Sequence, residues 1–179
     1  MIKPWQTLDS EKIYEDQFIK IVKDEIHHGN GDEGSYIYID RLDFASVIPM
    51  DGDGKFCLVN QWRYTVGRES WEFPRGGRED GETIEASGRR ELLEETGLIA
   101  ETFTSIGAAS IAVPITNQEY LVFIAQGLTQ DNHQRDESEE DMEVAMFSLE
   151  EIEKMIETGK IHDGVTITSF YFLKKYIRA

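Results

Sequence analysis

The stretch that decides the fold reads Gly76-Gly-Arg-Glu-Asp-Gly-Glu82-Thr-Ile-Glu-Ala-Ser-Gly-Arg-Arg90-Glu91-Leu92-Leu-Glu94-Glu95-Thr-Gly97-Leu98. Its glycines and acids open it as a loop. Thr83 can then cap a helix by accepting a hydrogen bond from a free backbone N–H. Good helix formers continue to Glu95, and Gly97 supplies a left-handed stop. The pattern therefore predicts a loop followed by a helix that ends near Glu95.

Three acids on that helix share one face. Glu91, Glu94 and Glu95 stand at i, i+3 and i+4, where side chains are neighbours and like charges repel. A divalent cation would turn this repulsion into binding, and carboxylate oxygens suit a hard ion such as Mg²⁺. A solvated acidic helix face is the alternative. Arg90 can pair with Glu94 or brace the loop that carries Glu82.

The same stretch resembles the Nudix box. The box requires fixed residue types at nine positions over these 23 residues, and each is present: Gly76, Glu82, Arg90, Glu91, Leu92, Glu94, Glu95, Gly97 and Leu98. So complete a match is a specific signal, although a motif needs its structural context. Gly88 costs the helix about 1 kcal/mol relative to Ala, which predicts close packing at that point.

Composition excludes several classes of protein. The 179 residues carry a net charge of −17, which argues against a nucleic-acid backbone as partner. The lone cysteine, Cys57, cannot form an internal disulfide, and it indicates a small buried hydrophobe in a reducing compartment such as the cytoplasm. The start has no apolar signal core, and no apolar run approaches 18 residues, so we expect no membrane association.

The remaining chain alternates strand and helix signals. Residues 12–42 have strand character around a turn at 29–34 and predict a hairpin, so we expect a small N-terminal β extension over 1–43. The main domain, 44–179, begins with two strands joined by a hairpin turn at 51–54. Two further strands follow the box, at 103–113 and 120–125. A capping box at Ser148 then opens a helix that stops at Gly159, and a last helix closes the chain.

This order of elements indicates an α+β protein with helices on the faces of a mixed sheet. The Nudix resemblance implies an α/β/α sandwich. It also implies hydrolysis of a nucleoside diphosphate linked to another group, with Mg²⁺ or Mn²⁺ as cofactor. Glu91, Glu94 and Glu95 are the implied metal ligands, with Glu82 and the backbone carbonyl of Arg75. Arg90 is expected among the catalytic residues.

Features outside the box make the chain similar to the ADP-ribose and nucleoside-diphosphate-sugar pyrophosphatases of that superfamily. Pro114 lies 16 residues after Leu98, a distance that marks this group. The run from Gln61 through Arg63 to Arg68 resembles the group's substrate-binding segment. In this group the N-terminal β unit crosses to a partner subunit, which implies a homodimer. The implied substrate contacts are Arg63, Arg68 and Pro114. Tyr36 is a candidate to stack on adenine, and packing in the core or at an interface is its alternative.

Two positions depart from the group. Arg75 stands where the group usually has Ala, and the run Trp71-Glu-Phe-Pro74 before the glycines is similar to the branch that removes oxidised nucleotides. The side chains of Arg75 and Arg78 suit substrate phosphate and solvent equally. The group's catalytic base lies in a loop before the last strand, and counting places it at Ser138, which cannot serve. We therefore expect Glu139, with Glu137, Glu140 and a box glutamate as alternatives.

The resemblance thus predicts a metal-dependent hydrolase of ADP-ribose or a related nucleoside diphosphate sugar, giving AMP and a sugar phosphate. Two other functions stay open from the sequence. One is a Nudix hydrolase of another nucleotide, such as an oxidised nucleoside triphosphate. The other is a nucleotide-sensing module without catalysis, against which the complete glutamate set speaks.

Overall fold

A computed structural model describes residues 2–131 and 141–178. These residues divide into two compact units, Met1–Leu42 with Ser110–Glu119, and Asp43–Ala109 with Tyr120–Ala179. The strands and helices, in chain order, are β1 Gln6–Glu15, β2 Lys20–His27, β3 Glu33–Asp40, β4 Phe44–Pro49, β5 Phe56–Arg63, β6 Arg68–Glu72, β7 Arg75–Gly77, α1 Ile84–Thr96, β8 Leu98–Ser110, β9 Glu119–Gln130, β10 Glu143–Phe147, α2 Leu149–Glu157 and α3 Gly164–Tyr176.

The first unit contains a three-stranded antiparallel sheet in the order β1-β2-β3. The hairpin predicted over 12–42 is therefore incomplete, because β1 adds a third strand that begins at Gln6. Every residue of β1 is exposed and its sequence lacks an alternating apolar face, so only its backbone pairing with β2 reveals it. Segment 110–119 belongs to the same unit, where the Ile39 N–H donates to the Ile115 carbonyl over 2.8 Å.

The second unit is built around a mixed sheet in the order β7-β4-β9-β8. β4 runs parallel to β9 and antiparallel to β7. Every residue of β4 is buried, as in a strand covered on both faces. The Ser46 hydroxyl lies 2.9 Å from that of Ser169 on α3. On the other face, Ala45 and Val47 pack against α1.

The approach of α1 to β4 explains the glycine within the helix. A Cβ placed on Gly88 would lie 2.9 Å from the Ala45 Cβ and 3.2 Å from a Val47 methyl group. The close packing predicted at Gly88 is therefore confirmed. Because α1 covers one face of the sheet and α3 the other, this unit has the predicted α/β/α arrangement.

Strands β10, β5 and β6 form a separate antiparallel sheet in that order. The turn predicted at 51–54 is present, but the predicted pairing of its two strands is wrong, because the turn joins β4 of one sheet to β5 of the other. The Asp51 carboxylate closes the turn by accepting from the N–H groups of Asp53 and Lys55. Beyond an isolated bridge between Met50 and Phe56, the two strands pair with different neighbours.

Helix α2 begins where the sequence predicts, and the predicted last helix is present as α3. Ser148 and Glu151 form the predicted capping box at α2, each side chain accepting from the other residue's N–H. Asp163 caps α3 by accepting from the Thr166 N–H over 2.8 Å. Among residues 2–131 and 141–178, no helix combines the length and apolar character needed to cross a membrane.

Candidate active site

Helix α1 carries the acids of the candidate site. The Thr83 hydroxyl accepts from the Ala86 N–H over 3.1 Å, and Gly97 ends the helix with φ of 70°. Both predicted ends are therefore confirmed. The buried residues of α1 include Leu92 and Glu95, which fixes the rotation of the helix against β4 and β7.

Two glutamates of α1 converge on the short strand β7. A Cβ placed on Gly76 would lie 1.8 Å from the carboxylate carbon and from Oε1 of Glu91. The Glu91 carboxylate thus occupies the space that only glycine leaves open at this position. One turn further along, Oε2 of the buried Glu95 accepts from the Arg75 N–H over 3.2 Å. The backbone at Arg75 and Gly76 is therefore lined by two carboxylates.

The guanidinium of Arg90 ties the acids together. Its Nη1 donates to Glu91 Oε1 over 2.7 Å and to Glu94 Oε2 over 2.8 Å. Its Nε and Nη2 each lie 3.3 Å from an oxygen of Glu82, and Nη2 also donates to the Gly77 carbonyl over 2.9 Å. Both roles that the sequence left open for Arg90 are therefore present at once.

These contacts shift the ionisation of both partners. Burial alone would raise the pKa of Glu82, but hydrogen bonds from Arg90 and from the Glu79 N–H lower it below its usual value. Burial likewise opposes the charge on Arg90, yet its bonds to Glu82 and the neighbouring glutamates raise the pKa of the guanidinium. Both shifts favour the charged forms, so Glu82 and Arg90 face each other as an ion pair at neutral pH.

The donor set of this cluster fits a hard divalent cation. Its ligands are carboxylate oxygens, and the Gly76 cradle brings Glu91 to the backbone at which Glu95 also ends. As placed, no three acidic, His or Cys side chains within 2–131 and 141–178 are close enough to hold a metal. The Arg90 guanidinium stands among Glu82, Glu91 and Glu94. A metal would share these ligands with Arg90.

A second network surrounds Glu72, a residue that the sequence analysis did not select. Glu72 is 1% exposed and accepts from Arg63 through both oxygens, at 2.9 Å from Nε and 2.5 Å from Nη2. These bonds, opposed in part by burial, raise the pKa of Arg63. Nη2 of Arg75 lies 2.9 Å from the same carboxylate. The only sequence signal for Glu72 was its place in the Trp71-Glu-Phe-Pro74 run.

Asp163 is the second site residue that sequence reasoning missed. It lies 88 positions from Arg75, whose Nη1 donates to both of its oxygens over 3.1 Å. The Arg75 side chain is therefore bound to Glu72 and Asp163, neither of the two roles that the sequence offered. Asp163 is the N-cap of α3, and an N-cap pattern at this position is the sequence signal that could have identified it.

The other predicted substrate contacts are placed as follows. Arg68 is exposed and stands opposite Arg63 in the register of strands β5 and β6. Tyr36 and Pro114 belong to the first unit, where the Tyr36 hydroxyl donates to the Pro114 carbonyl over 2.7 Å. The candidate bases Glu137, Glu139 and Glu140 lie outside the described residues.

Arg78 lies beside the loop of the site. It lines a cavity of about 640 Å³ together with Leu121, Phe123 and the start of α1. Its Nε is buried and makes no hydrogen bond within the part of the chain that the structure describes.

Comparisons with known proteins agree with this geometry. Residues 40–168 match the NUDIX domain family. The chain is 27% identical over 170 residues to an ADP-ribose pyrophosphatase of Bacillus subtilis (strain 168), covering 94% of this chain and 92% of that protein. It is 26% identical over 165 residues to an ADP-ribose pyrophosphatase of Mycobacterium tuberculosis (strain ATCC 25618 / H37Rv), covering 91% and 80%.

A solved structure extends the likeness to the fold. The crystal structure of an ADP compounds hydrolase superposes with a TM-score of 0.86 at 16% identity, over 99% of this chain and 96% of the other. The predicted Nudix fold, an α/β/α sandwich with a mixed sheet, is therefore confirmed. Since the family match covers most of the sequence and includes the whole box, the chain belongs to the NUDIX domain family.

Proposed function

We propose that this protein hydrolyses the diphosphate of ADP-ribose, or of a related nucleoside diphosphate sugar, to AMP and a sugar phosphate. One observation carries the proposal. The similarity to two ADP-ribose pyrophosphatases spans more than nine tenths of the chain and so includes the segments outside the box. Those outer segments matter because a fold and its motif set the chemistry, whereas substrate choice depends on the surrounding site.

The box acids are proposed to hold the metal. Glu91, Glu94 and Glu95 are the main ligands, helped by Glu82 and the Arg75 carbonyl, and the proposed ion is Mg²⁺ or Mn²⁺. When bound, such an ion polarises a phosphoryl oxygen and lowers the pKa of water. Support comes from the all-oxygen donor set and from the Gly76 cradle, in which the Glu91 carboxylate lies against the strand.

Arg90 is proposed to keep these carboxylates in place. Its hydrogen bonds to Glu82, Glu91 and Glu94 hold like charges together that would otherwise repel one another. Its bond to the Gly77 carbonyl fixes the same acids relative to β7. Arg90 thus acts on the arrangement of the ligands.

In the proposed reaction a water oxygen forms a bond to one phosphorus while the bond from the other phosphate to that phosphorus breaks. The water gives up a proton to a carboxylate base, for which we propose Glu139, with Glu137, Glu140 and a box glutamate as alternatives. The departing phosphate takes both electrons of the broken bond. No oxidant or reductant is required.

Arg63 and Arg68 are proposed to bind the substrate diphosphate. Glu72 orients the Arg63 guanidinium, whose side chain remains 34% exposed, so a fixed donor is available without further ordering. Arg68 stands opposite Arg63 in the strand register. Tyr36 and Pro114 are proposed to contact the nucleotide. The hydrogen bond from the Tyr36 hydroxyl to the Pro114 carbonyl supports this proposal, because it holds the two residues together.

We also propose that the protein is a cytoplasmic homodimer that uses the 1–43 extension. Several large apolar side chains of this extension are exposed, including Leu8 at 52%, Phe18 at 72% and Ile37 at 55%. A second copy is the proposed cover for these side chains. The unpaired Cys57 supports a reducing compartment. Light scattering at micromolar concentration tests the dimer, and a monomer would contradict it.

Product analysis with purified protein and Mg²⁺ tests the activity. ADP-ribose should yield AMP with a higher kcat/KM than any nucleoside triphosphate, including 8-oxo-dGTP. A Glu94→Gln variant serves as the control for contaminating hydrolases. Preference for a triphosphate would overturn the substrate assignment. Binding of ADP-ribose without turnover would favour a sensing module.

A further inference from the structure

Arg75 connects three elements of the second unit through its side chain and its backbone. Its Nη1 donates to both oxygens of Asp163 over 3.1 Å, and its Nη2 lies 2.9 Å from Oε2 of Glu72. The Arg75 side chain is 19% exposed and that of Glu72 1%, so both contacts are largely shielded from water. A planar guanidinium can bridge two carboxylates in this way, whereas a lysine ammonium cannot span them with the same geometry.

Both partners of the Arg75 guanidinium are themselves fixed. Oδ2 of Asp163 accepts from the N–H and the hydroxyl of Thr166, at 2.8 Å and 2.9 Å, in the first turn of α3. The Thr166 hydroxyl in turn accepts from the Phe73 N–H over 3.2 Å. Glu72 is held by two bonds from Arg63. The guanidinium is therefore anchored to rigid groups.

The backbone of Arg75 leads to the box. Its N–H donates to Oε2 of Glu95 over 3.2 Å, and Glu95 is 4% exposed. At the neighbouring Gly76, the Glu91 carboxylate fills the space that a Cβ atom would otherwise occupy. The position of this short strand thus decides where two of the box carboxylates end. In the described residues, the Arg75 guanidinium is a link from this strand to α3.

We propose that the Arg75 side chain is a positioning residue for the metal site, acting through the peptide that orients Glu95. The inference rests on the proposed function in one respect, that the box acids bind a divalent cation. The Arg75 guanidinium contacts neither the metal nor the substrate, because its donors are directed to Asp163 and Glu72; only the backbone carbonyl of this residue is proposed as a ligand. The guanidinium fixes the strand through Asp163, the N-cap of α3.

Metal affinity measured without substrate tests this role. Titration calorimetry with Mn²⁺ should give a dissociation constant about 10-fold to 100-fold weaker for Arg75→Lys than for wild type, the usual effect of losing a residue that orients a ligand. Asp163→Asn should weaken binding similarly, because Asn keeps the N-cap but loses the charge. The double variant should be no weaker than the worse single one, since both changes break the same link.

A matched control is Arg89→Lys. Arg89 lies on α1 and, like Arg75, pairs with a carboxylate, at 2.9 Å from Glu85, and it donates to the Ala100 carbonyl. The same chemical change there should leave the Mn²⁺ dissociation constant unchanged. Circular dichroism of each variant establishes that it is folded before the titration is interpreted.

The outcomes separate three roles for Arg75. Unchanged Mn²⁺ affinity in folded Arg75→Lys would overturn the proposal. If the affinity is unchanged while the KM for ADP-ribose at saturating metal rises, the side chain contacts substrate instead. Wild-type protein that binds no Mn²⁺ would also overturn it. Tight Mn²⁺ binding that depends on Arg75, with no hydrolysis of ADP-ribose, would refute the proposed substrate and leave the positioning role standing.

Discussion

Replacing Gly76 by alanine tests the arrangement of the box more directly than removing a carboxylate does. The added methyl carbon would lie 1.8 Å from the Glu91 carboxylate carbon and from Oε1, and 2.3 Å from Cγ. Non-bonded atoms never approach this closely, so either the Glu91 side chain or strand β7 must move. The glutamate side chain moves more easily than the strand, because β7 is paired with β4 at this position.

The size of the effect follows from that displacement. To reach an ordinary contact of 3.4 Å from 1.8 Å, the Glu91 carboxylate must retreat by about 1.6 Å. A misplacement of about 1 Å at a reacting centre costs roughly 100-fold in rate, so kcat should fall by about that factor or more. Stability should change little, since the group that moves is the end of a flexible side chain. Alanine also reduces the entropy of the unfolded chain, worth about 0.4–1 kcal/mol.

The neighbouring Gly77 provides a matched control. A Cβ there meets no atom within 4 Å, so Gly77→Ala makes the same chemical change without displacing Glu91. The Gly77 carbonyl, which accepts from Arg90, is retained. Steady-state kinetics with ADP-ribose and Mg²⁺, together with thermal unfolding, should show a large loss of kcat for Gly76→Ala alone and similar Tm values for both variants.

Two results would refute this reasoning. Wild-type kcat in Gly76→Ala would mean that the Glu91 carboxylate does not act from the position against β7. A large fall in Tm for Gly76→Ala, without one for Gly77→Ala, would mean that the strand moves and not the side chain. In that case the cradle is a packing feature of β7.

Three further predictions concern the metal ligands, the Pro114 loop and the Cys57 thiol. Glu94→Gln and Glu95→Gln should each lower kcat on the order of 100-fold while the far-ultraviolet spectrum is retained, because each removes a charged metal ligand; full activity would contradict that assignment. Pro114→Gly should reduce kcat/KM for ADP-ribose more than for triphosphates, since glycine loosens a loop that proline holds in one conformation, and equal losses would argue against a role in specificity. Burial and the charge of Glu95 raise the pKa of Cys57 to about 12, so iodoacetamide at about pH 8 should label this thiol only in denaturant, as mass spectrometry would show.

The box helix was predictable because all its signals are local. Thr83, Gly97 and the spacing of the glutamates lie within one short stretch, and each acts on its near neighbours. The packing glycine at Gly88 was predictable for the same reason, since a helix tolerates its cost only where something lies close. What this stretch could not show is which partner the glycine meets.

Long-range partners account for most of what the sequence did not predict. Glu72 and Asp163 each resembled an ordinary acid in a chain rich in acids, and their role follows only when the fold brings Arg63 and Arg75 to them. Strand β1 was missed for a different reason. Its apolar and polar residues do not alternate as they do in a half-buried strand. Strand β1 is defined by its backbone pairing with β2, and this pairing gives no hydrophobic pattern in the sequence.

The ion pairs also change the explanation of how so acidic a chain binds an anion. The sequence analysis placed Arg63 and Arg68 at the substrate and left Arg75 and Arg78 open as contacts for its phosphate. In the structure three of the site's guanidiniums, those of Arg63, Arg75 and Arg90, are already paired with carboxylates. The carboxylates around them are Glu72, Glu82, Glu91, Glu94, Glu95 and Asp163.

Six carboxylates around three guanidiniums leave this part of the site with an excess of three negative charges. A diphosphate that is esterified at both ends adds about two more negative charges. Like charges in a partly buried site are poorly screened by water and repel one another strongly. Exposed Arg68, together with Arg78 beside the loop of the site, can offset two of these charges. Substrate and divalent cation should therefore bind with strong positive coupling, because each supplies the charge that the other requires. The same excess disfavours a triphosphate, because its additional negative charges would need cations beyond Arg68, Arg78 and the metal.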